Sequence, residues 1–250
     1  MCRHLAYLGP PIPLSDLLFT PPHSLSRQSW APTDMRGGGT INADGFGLGW
    51  RFEEHFIRYR RSSPIWTDAG LPALAAATRS GAVLAAVRSA TEGMPVTEAA
   101  VAPFADGPWL FSHNGRVAGW PDSMTGPAAE LPVRDLLTLD APTDSALLWA
   151  LVRARLRAGK PLAEALGAVV AQVAAAAPGS RLNLLLTDGE TIAATVFGHS
   201  LSYLSTAEGG VLVASEPLSP DPAWIPVPDR SLLVATPSSA TVTALEGGAP

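Results

Sequence analysis

The chain opens Met1-Cys2-Arg3-His4-Leu5-Ala6-Tyr7-Leu8-Gly9-Pro10, and Cys2 is the single cysteine among 250 residues. A small residue at position 2 permits removal of Met1, which would leave Cys2 with a free α-amine. One residue would then hold both a nucleophile and a base. A free α-amine titrates at about 7.7–8.0 and a thiol at about 8.5, so both lie close to working pH without extreme tuning. Position alone fits equally a buried strand residue under a retained Met1. Residues 3–8 read as a short strand, which draws this end of the chain into a sheet.

The bulk composition narrows the setting for that thiol. Hydrophobic residues make up 47% and charged residues 16%, a globular balance that can bury a sizeable core. No linker or internal repeat divides the chain, so one domain is expected over residues 1–250, running from Cys2 to about Leu245 with a frayed tail at 246–250. Seventeen Lys+Arg against 22 Asp+Glu give −5. That sign, with only Arg58, Arg60 and Arg61 clustered, argues against a nucleic-acid surface. One cysteine cannot form an intrachain disulfide, which points to a reducing compartment. The run Gly9-Pro10-Pro11-Ile12-Pro13 interrupts any signal-like apolar segment, and the stretch at 162–177 contains Glu164 and Gln172. A cytoplasmic protein with no membrane partner is therefore expected. His4, His23, His55, His113 and His199 show no ligand spacing, and the Gly37–Gly39 run lacks a following Lys. No metal and no cofactor are expected.

Beyond residue 8 the sequence predicts a turn at 10–13, a short helix at 14–19 and a long Pro-, Ser- and Gly-rich loop over 20–40. Paired strands follow at 46–52 and 55–60, then a helix at 71–78 and buried strands at 82–88 and 109–112. Two long helices come next. The first runs from Asp144 to Arg157 behind a Thr143 cap, and the second covers 161–177 with Pro161 in its first turn. Strands at 182–187 and 191–197 flank Asp188-Gly189, a hairpin signal. Further strands are expected at 201–205, 211–215, 231–235 and 240–245. Strands, two helices and strands again suggest two sheets sandwiched with helices.

Four other stretches carry chemistry. His113-Asn114-Gly115 is placed at a strand end, where an Asn amide and the next N–H could hold an oxyanion, or simply form an Asn-Gly turn. Arg88 closes a strand that should be buried, and a buried guanidinium needs a carboxylate from the chain or from a ligand. Thr91 lies three residues on and could add a hydroxyl. Asp144 could bind an ammonium or act only as a helix-start acid. Asn42-Ala43-Asp44-Gly45-Phe46-Gly47 requires no more than a turn into a strand.

Met1-Cys2, the 42–47 turn, Val87-Arg88-Ser89-Ala90-Thr91, His113-Asn114-Gly115 and Thr143-Asp144-Ser145 occur in the order of the class II glutamine amidotransferases, which the sequence resembles from Cys2 to about Leu245. The resemblance implies an α+β fold, the four-layer αββα sandwich of the N-terminal-nucleophile hydrolase type. It implies that Cys2 attacks a side-chain amide while its amine shuttles the proton. Asn114 and the Gly115 N–H would hold the oxyanion. Arg88, assisted by Thr91, would grip the glutamyl α-carboxylate, Asp144 would take the α-ammonium, and His113 would be a further substrate-binding residue. Two departures stand out: Arg3 occupies a position where many members have Gly, and Ala146 one where an acid is common.

No acceptor-domain sequence is apparent, which leaves two enzymatic readings. One is an amidohydrolase for a small γ-glutamyl conjugate, acting on a carbon–nitrogen bond in a linear amide. The other is a glutaminase subunit that supplies ammonia to a separate synthase. Residues 1–8, 28–32 and 41–50 resemble the branch of the family that acts in ergothioneine biosynthesis. The resemblance implies removal of glutamate from γ-glutamyl-hercynylcysteine sulfoxide, whose leaving half carries a quaternary ammonium. Such a group favours aromatic faces, and Trp30, Trp50, Trp66 and Trp120 lie in or beside predicted loops. A third reading, an interaction-only member of the fold, requires Met1 to be retained. The oligomeric state is not legible.

Overall fold

The computed structural model describes residues 2–36 and 41–245. Met1, the Gly37-Gly38-Gly39 run and the expected frayed tail lie outside the described residues. In chain order the first half contains β1 (Arg3–Pro13), α1 (Ser15–Leu18), α2 (Leu25–Gln28), β2 (Phe46–Phe52), β3 (His55–Arg61), α3 (Leu71–Ala77) and β4 (Arg79–Val87). Then come β5 (Phe104–Asp106), β6 (Trp109–Arg116), α4 (Thr125–Ala129), α5 (Val133–Leu137), α6 (Asp144–Arg157) and α7 (Leu162–Ala176). After the helices lie β7 (Arg181–Thr187), β8 (Ile192–Val196), β9 (Ser202–Thr206), β10 (Gly210–Ala214), β11 (Ile225–Pro226), β12 (Ser231–Thr236) and β13 (Ser239–Ala244).

These strands form two sheets, one in the order β11-β9-β10-β1-β4-β2-β3 and one in the order β13-β12-β8-β7-β6-β5. The period of two along β1 shows how they stack. Leu5 and Tyr7 face outward into a core with Leu17 of α1, Leu25 of α2 and Leu71 of α3. Ala6 and Leu8 face inward and meet Leu110, Leu185, Ile192 and Leu233 of the second sheet. On the far side of that sheet, Phe111, Leu184 and Leu186 pack against Trp149, Leu151 and Val169 of α6 and α7. Each fully buried leucine in these layers contributes about 1.5–3 kcal/mol relative to exposure. The result is the expected αββα sandwich. Among the described residues no helix is long and apolar enough to cross a membrane.

Several local expectations are corrected. The prolines at 10–13 do not end the first strand: β1 continues through Ile12↔Ser80 and Pro13↔Arg79 after a register shift. Along β1, strand β10 pairs with Leu5–Leu8, so beyond Leu8 the ladder on that side demands no proline N–H. The 20–40 loop contains α2, capped by the Ser24 side chain, which accepts the Arg27 N–H. His113-Asn114-Gly115 lies inside β6 rather than at its end or in a turn, because β7 pairs across it from Leu110 to Arg116. Arg88 lies one residue beyond β4. Pro161 is the cap of α7 rather than part of its first turn. The short strands β5 and β11 were not expected.

The start of β1 is fixed by a buried ion pair. Arg3 Nε donates to Glu216 Oε1 at 2.6 Å, with the side chains 2% and 1% exposed. Glu216 Oε2 takes His23 Nε2, the Thr33 N–H and the Thr33 hydroxyl, each at 2.7 Å. One carboxylate thus ties β1 to the segment that follows α1. Burial alone would raise the Glu216 pKa. The hydrogen bonds from His23 and Thr33 and the Arg3 charge outweigh it and hold the carboxyl down from the ordinary 4.5 to about 2. A depressed carboxylate stabilises the fold fully above its unfolded pKa, and that contribution fades as pH falls through the folded value. Here that contribution is present at neutral pH and is lost between about 4.5 and about 2. In urea unfolding, Glu216→Gln should therefore be destabilised most at neutral pH, with its deficit against the parent shrinking as pH falls through that window. A deficit constant with pH would show that the carboxylate charge is not the stabilising feature.

Candidate active site

Strand alternation sorts the motif residues onto two faces. Leu110 of β6 points into the space between the sheets, and with a period of two Ser112 and Asn114 point the same way. Ser112 Oγ meets His4 Nδ1 at 3.2 Å, and Asn114 Nδ2 donates to Ser215 Oγ at 3.5 Å. His113 points the other way, toward the start of α6. Its Nδ1 lies 3.0 Å from Ser145 Oγ and its Nε2 3.0 Å from the Arg181 carbonyl. The intersheet space is therefore apolar along most of its length and polar at the Cys2 end. Gly115 is required by close approach. An added Cβ would strike the Arg181 carbonyl oxygen and come within 2.6 Å of His113 Nε2.

Arg88 is carried by the exit of β4 and gripped there by the 42–47 turn. Its N–H donates to the Gly45 carbonyl at 2.7 Å, its carbonyl accepts the Asp44 N–H at 2.9 Å, and Asp44 Oδ2 accepts the Ala90 N–H at 2.8 Å. Arg88 is 8% exposed and its Nη1 donates to the Pro95 carbonyl at 2.9 Å. Among the described residues no carboxylate forms an ion pair with it. Asp144 opens α6 behind the Thr143 cap, whose Oγ1 accepts the Ala146 N–H at 3.2 Å. Its carboxylate accepts the Ser145 N–H at 2.7 Å and the Val117 N–H at 2.9 Å, so it is aimed by backbone donors and is only 3% exposed.

These groups converge on Cys2. Two small cavities of about 20 Å³ each adjoin at the thiol and share Arg88, Ala100 and Ser145. One also takes Thr91, Met94, Gly115 and Asp144, and the other Ser112, His113 and Phe104. Past Thr91, Met94 and Asp144 the first opens into a cleft of about 490 Å³ bordered by Glu92, Arg116 and Trp120. Each small cavity has room for about one water, so an amino-acid head group requires the walls to part toward the cleft. The Cys2 thiol itself contacts the Ser89 carbonyl at 3.8 Å.

Of the residues expected from sequence, Cys2, Arg88, Thr91, Gly115 and Asp144 line one cavity. His113 lines its neighbour with both ring nitrogens engaged. Asn114 lines neither cavity and is 1% exposed. Sequence reasoning gave no individual role to His4, Ser112, Ser215 or Asp44, although the 42–47 turn that contains Asp44 and the 214–218 strand end that contains Ser215 belong to the resemblance. Continuing the alternation from Leu110 would have put Ser112 beside Asn114, but nothing local marked His4. Burial, with the neighbouring His113, His199 and Arg3 charges, pushes the His4 pKa down to about 3. Burial, with the Arg181, Arg3 and His113 charges, does the same to His199. Neither imidazole is charged at neutral pH. Of the four tryptophans expected beside loops, Trp50 belongs to β2 and the outer core. The Trp30 ring is covered by the Arg27 guanidinium at 3.9 Å, Trp66 is exposed and Trp120 borders the cleft.

Residues 22–208 match the model of the class-II glutamine amidotransferases. The chain is 42% identical over 246 residues to the gamma-glutamyl-hercynylcysteine sulfoxide hydrolase of Mycolicibacterium smegmatis, covering 98% of this chain and 100% of that one. It is also 42% identical to the protein of the same name from Mycobacterium tuberculosis strain H37Rv, covering 98% and 97%. A solved glutamine aminotransferase class-II domain protein from Silicibacter pomeroyi superposes with a TM-score of 0.69 at 26% identity, with 100% of both chains covered. Sequence similarity along nearly the whole chain and a shared sandwich agree: this chain belongs to the class-II glutamine amidotransferases.

Proposed function

We propose that this chain is a γ-glutamyl amidohydrolase that releases glutamate from γ-glutamyl-hercynylcysteine sulfoxide. The observation that carries the reading is the lining of one cavity by a thiol, a buried guanidinium with no carboxylate partner among the described residues, a hydroxyl and a carboxylate: Cys2, Arg88, Thr91 and Asp144. That set complements a glutamyl head, whose α-carboxylate needs a cation and whose α-ammonium needs an anion. The identity of the leaving half is supported by the names of the relatives, which match along 98% of the chain.

In this mechanism Met1 is removed and the Cys2 thiolate adds to the γ-carbonyl carbon. The α-amine takes the thiol proton and delivers it to the departing nitrogen, so the C–N bond breaks and a γ-glutamyl thioester remains. Water then adds to the thioester with the same amine as base, the C–S bond breaks, and glutamate and free thiol are regenerated. The Gly115 N–H and Asn114 Nδ2 stabilise the oxyanion formed at each addition. His113, with both nitrogens taken up by Ser145 and Arg181, holds β6 against α6 at the edge of the pocket. Thr91 and Asp144 lie on the wall shared with the large cleft, so the cleft meets the glutamyl group at its α end.

Glutamate release from the conjugate and from glutamine, measured side by side, tests the reading. A strong kcat/KM preference for the conjugate is expected. Preference for glutamine would replace the reading with an ammonia-supplying subunit. Cys2→Ala should abolish turnover while leaving substrate affinity nearly unchanged in calorimetry, and surviving turnover would exclude the thioester route. Asn114→Ala should lower kcat about 10²–10³-fold with little change in KM, the usual effect of removing one oxyanion donor. A loss under about threefold would remove Asn114 from the mechanism.

A further inference from the structure

In the ladder between β1 and β10, Leu5 lies opposite Ala214. Extending that register sets His4 opposite Ser215, Arg3 opposite Glu216 and Cys2 opposite Pro217. The Ser215 N–H still donates to the His4 carbonyl at 2.9 Å, but the His4 N–H already turns to the Ser215 hydroxyl at 3.0 Å. In an antiparallel pair the next rung falls two residues on. It would need an N–H from residue 217, and proline has none. The Cys2 carbonyl accepts instead from Nη1 of the adjacent Arg3, at 3.0 Å. The same guanidinium gives Nε to Glu216 and Nη2 to the Asp34 carbonyl. All three of its faces are thus engaged at 2% exposure.

We propose that Arg3, braced by Glu216, is a positioning residue for the nucleophile: its guanidinium replaces the ladder donor that Pro217 lacks and fixes the Cys2–Arg3 peptide. The inference rests on the proposed function in one respect. Once Met1 is gone, no upstream chain restrains Cys2, and among the described residues the hydrogen-bonding contact of its thiol is to the Ser89 carbonyl, at 3.8 Å. The Cys2 carbonyl is then the anchor that decides where its α-amine and thiol lie relative to the cavity. A guanidinium suits the task because one rigid fork can hold the carbonyl and the carboxylate together, which a lysine ammonium on a flexible stem does poorly. Because Asp34 and Thr33 also belong to this network, the segment after α2 and the nucleophile share one brace.

Arg3→Gly and Arg3→Lys separate positioning from stability. Misplacing a reacting group by about 1 Å costs roughly 100-fold. Arg3→Gly is therefore expected to lose about that much kcat with KM within about threefold, and added methylguanidinium at non-denaturing concentration should restore at least about a tenth of the parent kcat. Arg3→Lys keeps a cation beside Glu216 and remains foldable if the glycine variant is not. It should keep a near-parental melting temperature yet lose kcat by more than about tenfold. Alkylation of Cys2 by iodoacetamide at neutral pH, which needs no substrate, should slow by about fivefold in Arg3→Lys as the amine and thiol lose their alignment. Parental kcat and parental alkylation in a folded Arg3→Lys would overturn the inference. So would a kcat loss in Arg3→Gly that tracks the unfolded fraction and is not rescued. If the parent protein releases glutamate from neither substrate, the proposed function falls, while the alkylation comparison still decides the role of Arg3.

Discussion

The contact between Arg3 and Glu216 determines where β1 begins, and the site is assembled against that point. Two charges at 2% and 1% exposure are stable together only if their remaining hydrogen-bonding capacity is met. Here it is. Glu216 receives Arg3, His23 and both donors of Thr33, while Arg3 spends its other nitrogens on the Cys2 and Asp34 carbonyls. β1 lies in the interior of its sheet between β10 and β4. A shift of its first residues would break pairing on two sides at once. Because a one-residue slip would also exchange the faces of the strand, His4 would leave Ser112 and Leu5 would leave the outer core.

The space between the sheets changes character along β1 for the same reason. Its inward positions run from Leu8 and Ala6 to His4 and then Cys2, so an apolar core grades into a polar pocket within one strand. The polar end is less fully satisfied than the apolar end. Among the described residues, His4 Nε2, Asn114 Oδ1 and His199 Nε2 are buried without a hydrogen-bond partner. Unpaired buried polar atoms cost stability, and each such group calls for an explanation beyond packing. The low pKa of His4 follows from that burial and keeps the ring neutral. The polar end therefore places no imidazolium charge from His4 or His199 beneath the thiol, and proton transfer in the proposed mechanism falls to the amine of Cys2 itself.

Much of this is legible in the sequence, for identifiable reasons. The helix from Asp144 to Arg157 with its Thr143 cap is predicted with its observed ends because capping and a helical apolar period agree there. The hairpin at Asp188-Gly189 is legible because turn chemistry is local. The prolines after Gly9 mislead because their effect depends on which side of the strand is paired, a tertiary fact. Asn114 reads as a strand end or an Asn-Gly turn, whereas β7 pairs across it and buries it within β6. The Arg3–Glu216 contact joins residues 213 apart and has no local signature. What the sequence does mark is an arginine where a glycine is common, and the structure gives that arginine three partners.

Arg3 and Arg88 form an instructive contrast. Both guanidinium groups are buried, and both lie within reach of the Cys2 pocket. Arg3 has a carboxylate from its own fold, whereas among the described residues Arg88 has a single carbonyl, that of Pro95. A buried charge left without a counterion is a standing cost, commonly several kcal/mol. In the proposed function that deficit is what a substrate α-carboxylate relieves. The same energy that destabilises the empty pocket becomes binding energy for a glutamyl head. Asp144 is arranged differently: two backbone N–H groups aim and partly neutralise it, so it can wait uncomplexed at lower cost. An ammonium arriving there gains less than a carboxylate arriving at Arg88. In the proposed function the α-carboxylate, more than the α-ammonium, therefore drives capture of the head group, while the placement of Cys2 governs the rate of attack on its amide.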